Sequence, residues 1–224
     1  MLTSSVFCEM QIASRGRDSI ASVASRRFAP RTQIFRESEP ARHVYEVVDG
    51  LVMLYKLLPD GRRQIVELIS AGGVFGVSSV PVYDCFAETL AASQVIAHDR
   101  ASIEQSPELC RHISECVKRQ YCSSRAHALV LGRKTATERI ATFMMQCIPG
   151  RGGYNCPGPR GRNDSARIRL GLTRQEIADY LCLTIETVSR TLTALRRRGL
   201  IKIDKREQLR VNDVCRVCRM TGDH

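Results

Sequence analysis

Residues Leu172 to Ile201 read LTRQEIADYLCLTIETVSRTLTALRRRGLI, and their spacing resolves into two short amphipathic helices with a break between them. Thr173 with Glu176 three residues on is a capping-box pattern, in which hydroxyl and carboxylate satisfy backbone N–H groups that the first helical turn leaves unpaired. Ile177, Tyr180 and Leu181 then recur at helical spacing. Thr184 is a second cap, with Thr187 three residues on, and Val188, Leu192 and Leu195 form one apolar stripe behind it. Arg196, Arg197 and Arg198 bring cations to the negative end of the helix dipole, and Gly199 ends the helix. Two such helices joined by about three residues make a helix-turn-helix.

The second helix turns Glu186, Ser189 and Arg190 away from its apolar stripe. A guanidinium forks onto guanine O6 and N7, a carboxylate accepts from the cytosine amino group, and a serine hydroxyl reaches either kind of base edge. The plainer alternative is an i,i+4 surface ion pair between Glu186 and Arg190, worth a few tenths of a kcal/mol. Charge favours the first reading. Net charge is +11 over 224 residues, and residues 160–224 carry 15 Lys and Arg against 8 Asp and Glu, so the excess gathers around the helix-turn-helix, as polyanion binding requires.

On TRQEIADYL, the three turn residues, ETVSR and the basic end before GLI, the chain resembles the CRP/FNR superfamily of bacterial regulators. The spacing of Glu186, Ser189 and Arg190 is similar to its FNR and FixK branches, whereas Ile185 stands where the CRP branch carries an Arg. The resemblance implies a homodimer on a two-fold DNA site of the TTGAT-N4-ATCAA type. In it Arg190 and Glu186 address a G·C pair and Ser189 a neighbouring thymine, while RNA polymerase is the partner in low-oxygen-type gene control. It also sets Thr173, Gln175 and Thr184 where relatives hold phosphates, positions that suit anions in any case because helix-end amides lie there. Arg174 and Lys202 join them as expected backbone contacts.

Upstream, β-branched and aromatic runs between Val44 and Tyr55, punctuated by Asp49-Gly50, and a further run from Gln64 to Ile69 after Pro59-Asp60-Gly61, carry hairpin signals and predict an antiparallel barrel or jelly roll. Here the chain is similar to the sensor roll of the same family, in Glu39-Pro40-Ala41, in VYEVVDGLVMLYKLLPDGRRQIVEL and in the glycines at 72, 73 and 76. A cyclic-nucleotide pocket requires a carboxylate for the ribose and an Arg for the phosphate, and VSSVPVYDCFAETLAAS after Gly76 holds neither at the cassette positions. A four-thiolate iron–sulfur cluster is not expected either, since Cys8 stands alone near the N-terminus with Cys85 in the middle. No cofactor is therefore expected. The alternative is an effector-gated relative whose roll binds an unidentified small molecule or a haem, through a ligand such as His43 or His98.

From Ser106 to Leu131 the period becomes helical. Ile113, Val117, Tyr121, Ser124, Ala128 and Leu131 form a seam suited to a partner helix, with Leu109 and Cys116 available for contact with the chain's own roll. Twenty-six residues make about 39 Å of helix, more than one small roll covers, which favours a symmetric dimer. A second helix is expected from Thr137 through Met145. Residues 149–164, rich in Gly, Pro and Arg, read as an exposed loop. After the helix-turn-helix, Ile201 to Ile203 and Gln208 to Val211 read as the strands of a wing whose turn carries Lys205 and Arg206, and Val214 to Met220 as a short helix or a tail.

The ten cysteines are expected as reduced thiols of a cytoplasmic protein, there being no apolar run of membrane-spanning length and no secretory signal. Cys215-x-x-Cys218 is half a zinc motif without a second pair, so no metal is expected. Cys110, Cys116 and Cys122 read as small packing residues. Cys182 stands in the turn, where relatives usually have Gly, just before the positive end of the second helix. It is a candidate redox thiol whose oxidation weakens DNA binding, or else a buried filler between the two helices. The five histidines are scattered, so no enzyme is expected. The architecture expected is α+β: an extension over 1–30, an antiparallel cyclic-nucleotide-binding-like β-roll over 31–105, a long dimerisation helix and hinge over 106–134, and a winged helix-turn-helix over 135–224.

Overall fold

The computed structural model describes residues 25–151, 156, 158, 159, 164–203 and 208–223. Two compact units divide the chain between Cys122 and Ser123. The expected extension before Ser25, the wing turn at 204–207, Cys8 and His224 lie outside the described residues.

The first unit is built on two four-stranded antiparallel sheets. One contains β1 (Ser25–Phe28), β8 (Ser93–Asp99), β3 (His43–Asp49) and β6 (Val74–Phe75) in that order. The other contains β2 (Gln33–Phe35), β7 (Phe86–Thr89), β4 (Leu51–Leu57) and β5 (Arg63–Ser70). Between them lies a core of Phe35, Tyr45, Val47, Val52, Leu54, Ile69, Phe75, Tyr83 and Val95. Phe35 stacks on Tyr83 with ring centroids 3.7 Å apart, and Tyr45 on Phe75 at 5.2 Å. Roll sheet already includes Ser25–Phe28, within the stretch read as extension.

One of the two hairpins is not a hairpin. β4 and β5 pair across Pro59-Asp60-Gly61 as the turn chemistry predicts, but β3 and β4 belong to different sheets, so Asp49-Gly50 is a corner at which the chain crosses the core. The composition explains it: from Val44 to Tyr55 the run is apolar with little alternation, and only Glu46 and Asp49-Gly50 interrupt it. A ribbon buried this continuously serves two packed sheets better than one half-solvated pair. Gly50 makes the corner with φ +100°, and a Cβ there would run into Ser93 and the carbonyl of Ala92.

A short helix α1 (Arg100–Gln105) precedes the long α2 (Pro107–Arg133). Ile113 and Cys116 of α2 are buried with Val44 and Val74, and Leu109 packs against them. Ile113 therefore leaves the expected dimer seam: its side chain, 7% exposed, is covered by its own roll. Val117 and Tyr121 are exposed, Tyr121 by 62%, and Ser124 and Ala128 are exposed as well, with Leu131 half-buried. Cys110 and Cys122 are exposed rather than packed, because a six-residue step rotates successive thiols off one helix face; only Cys116 of the three is buried.

In the second unit α3 (Ala136–Gln146), capped by Thr135 with Glu138 in a capping box, supplies buried Ile140, Phe143 and Met144. The helix-turn-helix is α4 (Arg174–Leu181) and α5 (Ile185–Arg197). The latter buries Val188, Leu192 and Leu195 and packs against α4, α3 and the strand β10 (Ile201–Ile203). Gly199, at φ +69°, closes α5 as its sequence position predicts. The wing is wider than expected. β10 pairs with β11 (Gln208–Val211), and β11 pairs in turn with β9 (Ala166–Arg169). A last helix, α6 (Val214–Arg219), buries Val214 and Val217.

Candidate nucleic-acid interface

Both helices of the motif start on side-chain caps. Thr173 Oγ1 accepts from the Glu176 N–H at 3.2 Å, and Glu176 Oε2 accepts from the Thr173 N–H at 2.7 Å, so two backbone donors are satisfied reciprocally. Thr184 Oγ1 accepts from the Thr187 N–H at 3.2 Å. With the apolar stripe anchored beneath, α5 turns Glu186 and Arg190 outward as exposed side chains, with half-buried Ser189 between them.

The i,i+4 ion pair does not form. Arg190 Nη2 donates to Thr187 Oγ1 at 3.4 Å, and the Glu186 carboxylate has no partner among the described residues. Arg174 Nη1 donates to Ser189 Oγ at 3.2 Å, tying the two helices of the motif at the same surface. Glu186, Ser189, Arg190 and Arg174 are thus brought to one face of the motif.

The expected phosphate contacts divide. Arg174 and Lys202 are exposed cations. The Thr173 hydroxyl donates to Glu176 Oε2 at 3.0 Å, and the Gln175 amide donates to Asp179 Oδ1 at 2.7 Å, so these side chains already have partners inside the motif. Thr184 shares a 3.0 Å hydrogen bond with Thr187 Oγ1. Two further cations come into view only with the strand register. Arg210 lies opposite Lys202, and Arg167 opposite Arg210, so one row of three exposed cations crosses the wing sheet. Like charges directly opposite one another are destabilising in a sheet, and an anion lying over the row would relieve it.

Cys182 is the C-cap of α4, with φ 52° and ψ 49°, and it is exposed, which overturns the buried-filler alternative. Burial, with Asp84 adding to it, pushes the Cys85 thiol up to about 12, and burial does the same for Cys147. Cys215 accepts from Arg151 Nη2 at 3.2 Å, beside the ion pair that Arg151 makes with Asp164 at 2.6 Å.

Inside the roll, His98 Nε2 lies 3.4 Å from Glu46 Oε2 and His112 Nε2 lies 3.0 Å from Glu46 Oε1. Burial works to raise the Glu46 carboxyl, but the hydrogen bonds and charge of the two imidazoles prevail and hold it below the ordinary range. His98, one of the two candidate haem ligands, is thereby engaged by a carboxylate. Among the described residues no group of three or more His, Cys, Asp or Glu is arranged to hold a metal ion.

Comparison with known proteins places both units. Residues 25–106 match the cyclic nucleotide-binding domain model and residues 138–220 the Crp-like helix-turn-helix domain model. The nitrogen fixation regulation protein FixK of Bradyrhizobium diazoefficiens is 37% identical over 180 residues, 79% of this chain and 73% of that protein. The transcriptional activatory protein AadR of Rhodopseudomonas palustris is 35% identical over 79% of this chain and 73% of its own length. The solved structure of FixK2 from Bradyrhizobium japonicum superposes with a TM-score of 0.73 at 32% identity, covering 88% of this chain and 96% of that one. The chain belongs to the CRP/FNR family of transcription regulators, with FixK proteins among its relatives, and it is a DNA-binding regulator of that type.

Proposed function

We propose that this protein is a transcription activator that binds as a homodimer to a TTGAT-N4-ATCAA-type palindrome and recruits RNA polymerase, in low-oxygen-type gene control in the cytoplasm. The observation that carries the proposal is the solvent-facing set of Glu186, Ser189 and Arg190 on α5, held by caps at both helix starts. Glu186 has no partner among the described residues, Ser189 and Arg190 are engaged only within the motif, by Arg174 and Thr187, and exposed cations on the wing stand ready for the phosphates that position it. Relatives named as activators and as nitrogen fixation regulators support the direction of control. The exposed stripe of Val117, Tyr121, Ser124 and Ala128 on α2 supports a two-fold partner. No helix among the described residues is long and apolar enough to cross a membrane.

The roll acts as a scaffold without an effector in this reading, its interior occupied by stacked aromatic rings. The test is a mobility-shift titration on the palindrome with nothing added. Binding in the nanomolar range is expected, and specific complexes of this class lie at about 10⁻⁸–10⁻¹¹ M. Binding that appears only with a cyclic nucleotide or haem would move the protein to the effector-gated alternative, and no binding in any condition would overturn both.

Cys182 adds a control point. Peroxide oxidises its thiol stepwise to a sulfinic acid, the peroxide leaving as water, and the resulting negative charge beside the recognition helix repels phosphates. Its exposure in the turn supports this. Peroxide is expected to weaken DNA binding by the native chain and not by Cys182→Ser; equal loss in both would end the idea.

A further inference from the structure

The last carbonyls of an α-helix have no partner within the helix. At the end of α4 those of Tyr180, Leu181 and the C-cap Cys182 are taken by side chains from other helices. His127 of α2 donates from Nε2 to the Tyr180 carbonyl at 3.1 Å and stacks its ring on Tyr180, centroids 4.1 Å apart. Arg139 of α3 donates from Nη1 to the Leu181 carbonyl at 2.9 Å and to the Cys182 carbonyl at 3.3 Å. The rest of the same guanidinium is spread over the end of α2, with Nη2 on the Leu131 carbonyl at 2.6 Å and Nε on the Lys134 carbonyl at 2.9 Å. One cation therefore closes the negative ends of two helices at once, where the dipoles favour it.

The consequence for the turn is geometric. The torsion φ of Cys182 sets the direction of the Leu181 carbonyl, and ψ sets that of the Cys182 carbonyl. Holding both oxygens on one nitrogen fixes both torsions, and it does so in the left-handed region that a non-glycine residue enters only against steric cost. The direction in which α5 leaves the turn is thereby tied to the end of the long helix.

We propose that Arg139, seconded by His127, is a positioning residue for DNA recognition: it locks the helix-turn-helix to the end of α2, so that two recognition helices in a dimer meet their half-sites at one spacing. The inference rests on the dimeric DNA-binding reading above. Lysine cannot replace Arg139 in this role, because one ammonium cannot fork across four carbonyls.

The test uses the full chain and four duplexes in which two constant half-sites are separated by the native spacer or by spacers one base pair shorter, one longer and two longer. Binding is read by fluorescence anisotropy, and thermal unfolding is recorded in parallel. The native chain is expected to prefer one spacing sharply. In Arg139→Ala, affinity for that duplex falls about tenfold, the preference among spacings flattens, and discrimination against base changes inside a half-site is kept. Arg139→Lys is expected to lie between the two, and it carries the test if the alanine variant fails to fold. A variant that loses thermal stability yet keeps the native spacing preference would overturn the proposal and leave Arg139 a stabilising residue only. A native chain that binds none of the duplexes would instead overturn the DNA reading itself.

Discussion

In the roll, polar groups that leave the surface are tied to one another. Glu46 is shared between His98 and His112, and Gln120 joins Glu67 and the backbone of Val74 to α2. On the helix-turn-helix the polar groups that matter stay outside, and Glu186 keeps its carboxylate unpaired among the described residues. The difference follows from what each surface is for. An interior tolerates a charge only when it is paired, because an uncompensated buried ion loses its hydration with nothing in return. A surface that reads another molecule must keep its donors and acceptors for that molecule, and holds them in place through the backbone beneath, here through two threonine caps and an apolar stripe.

Substitutions in the two regions should accordingly separate stability from recognition. Phe75→Ala removes a fully buried ring from the roll and is expected to cost about 3–5 kcal/mol, read as an early transition in a denaturant melt followed by circular dichroism. Base preference of the remaining folded fraction should not change. Arg190→Ala is expected to do the reverse. Affinity for the palindrome falls by about 1–3 kcal/mol and preference relaxes at one base pair in binding titrations, while unfolding stays within about 0.5 kcal/mol of the native chain, as for other surface changes.

Smaller effects probe the border between the regions. Thr173→Ala removes the cap of α4 and should lower thermal stability by about 1 kcal/mol. His127 should make stability pH-dependent. Burial lowers its basicity and the nearby Arg139 lowers it further, against the hydrogen bond to Tyr180, so the fold favours the neutral ring. That contribution is complete above the ordinary imidazole value and is lost as the pH falls through the lowered value in the folded state. Chemical denaturation between pH 7.5 and pH 5, roughly spanning the ordinary imidazole value, should therefore show a steeper loss in the native chain than in His127→Phe. Lys202→Ala should have the least effect: weaker binding to all sequences alike, and a log–log salt slope reduced by about 1.

What the sequence made legible was local chemistry. Caps at Thr173 and Thr184, the stripe of Val188, Leu192 and Leu195, and the turn at Pro59-Asp60-Gly61 depend on residues a few positions apart, and all were readable before any fold was known. Long-range pairing was not. Asp49-Gly50 has the residues of a hairpin turn, but which sheet each strand joins is decided by partners from β6, β7 and β8. The seam on α2 shows the same limit: a helical period marks a stripe without saying which part of it the chain covers for itself, and Ile113 went to the roll. The row of Lys202, Arg210 and Arg167 was invisible for a related reason, since it exists only in the register of three strands, one of which, β9, had no clear signal. Gln175 and Thr173 look like free donors in sequence and turn out to be engaged with Asp179 and Glu176.

The claim on which the rest depends is that the outward groups of α5 read base edges. A double-mutant cycle tests it most directly. Anisotropy affinities are measured for the native chain and Arg190→Ala, each on the palindrome and on a duplex whose G·C pair is exchanged for A·T in both half-sites. The exchange is expected to cost the native chain heavily and Arg190→Ala almost nothing. An equal penalty in the two proteins would mean that Arg190 does not read that pair, and would contradict the claim.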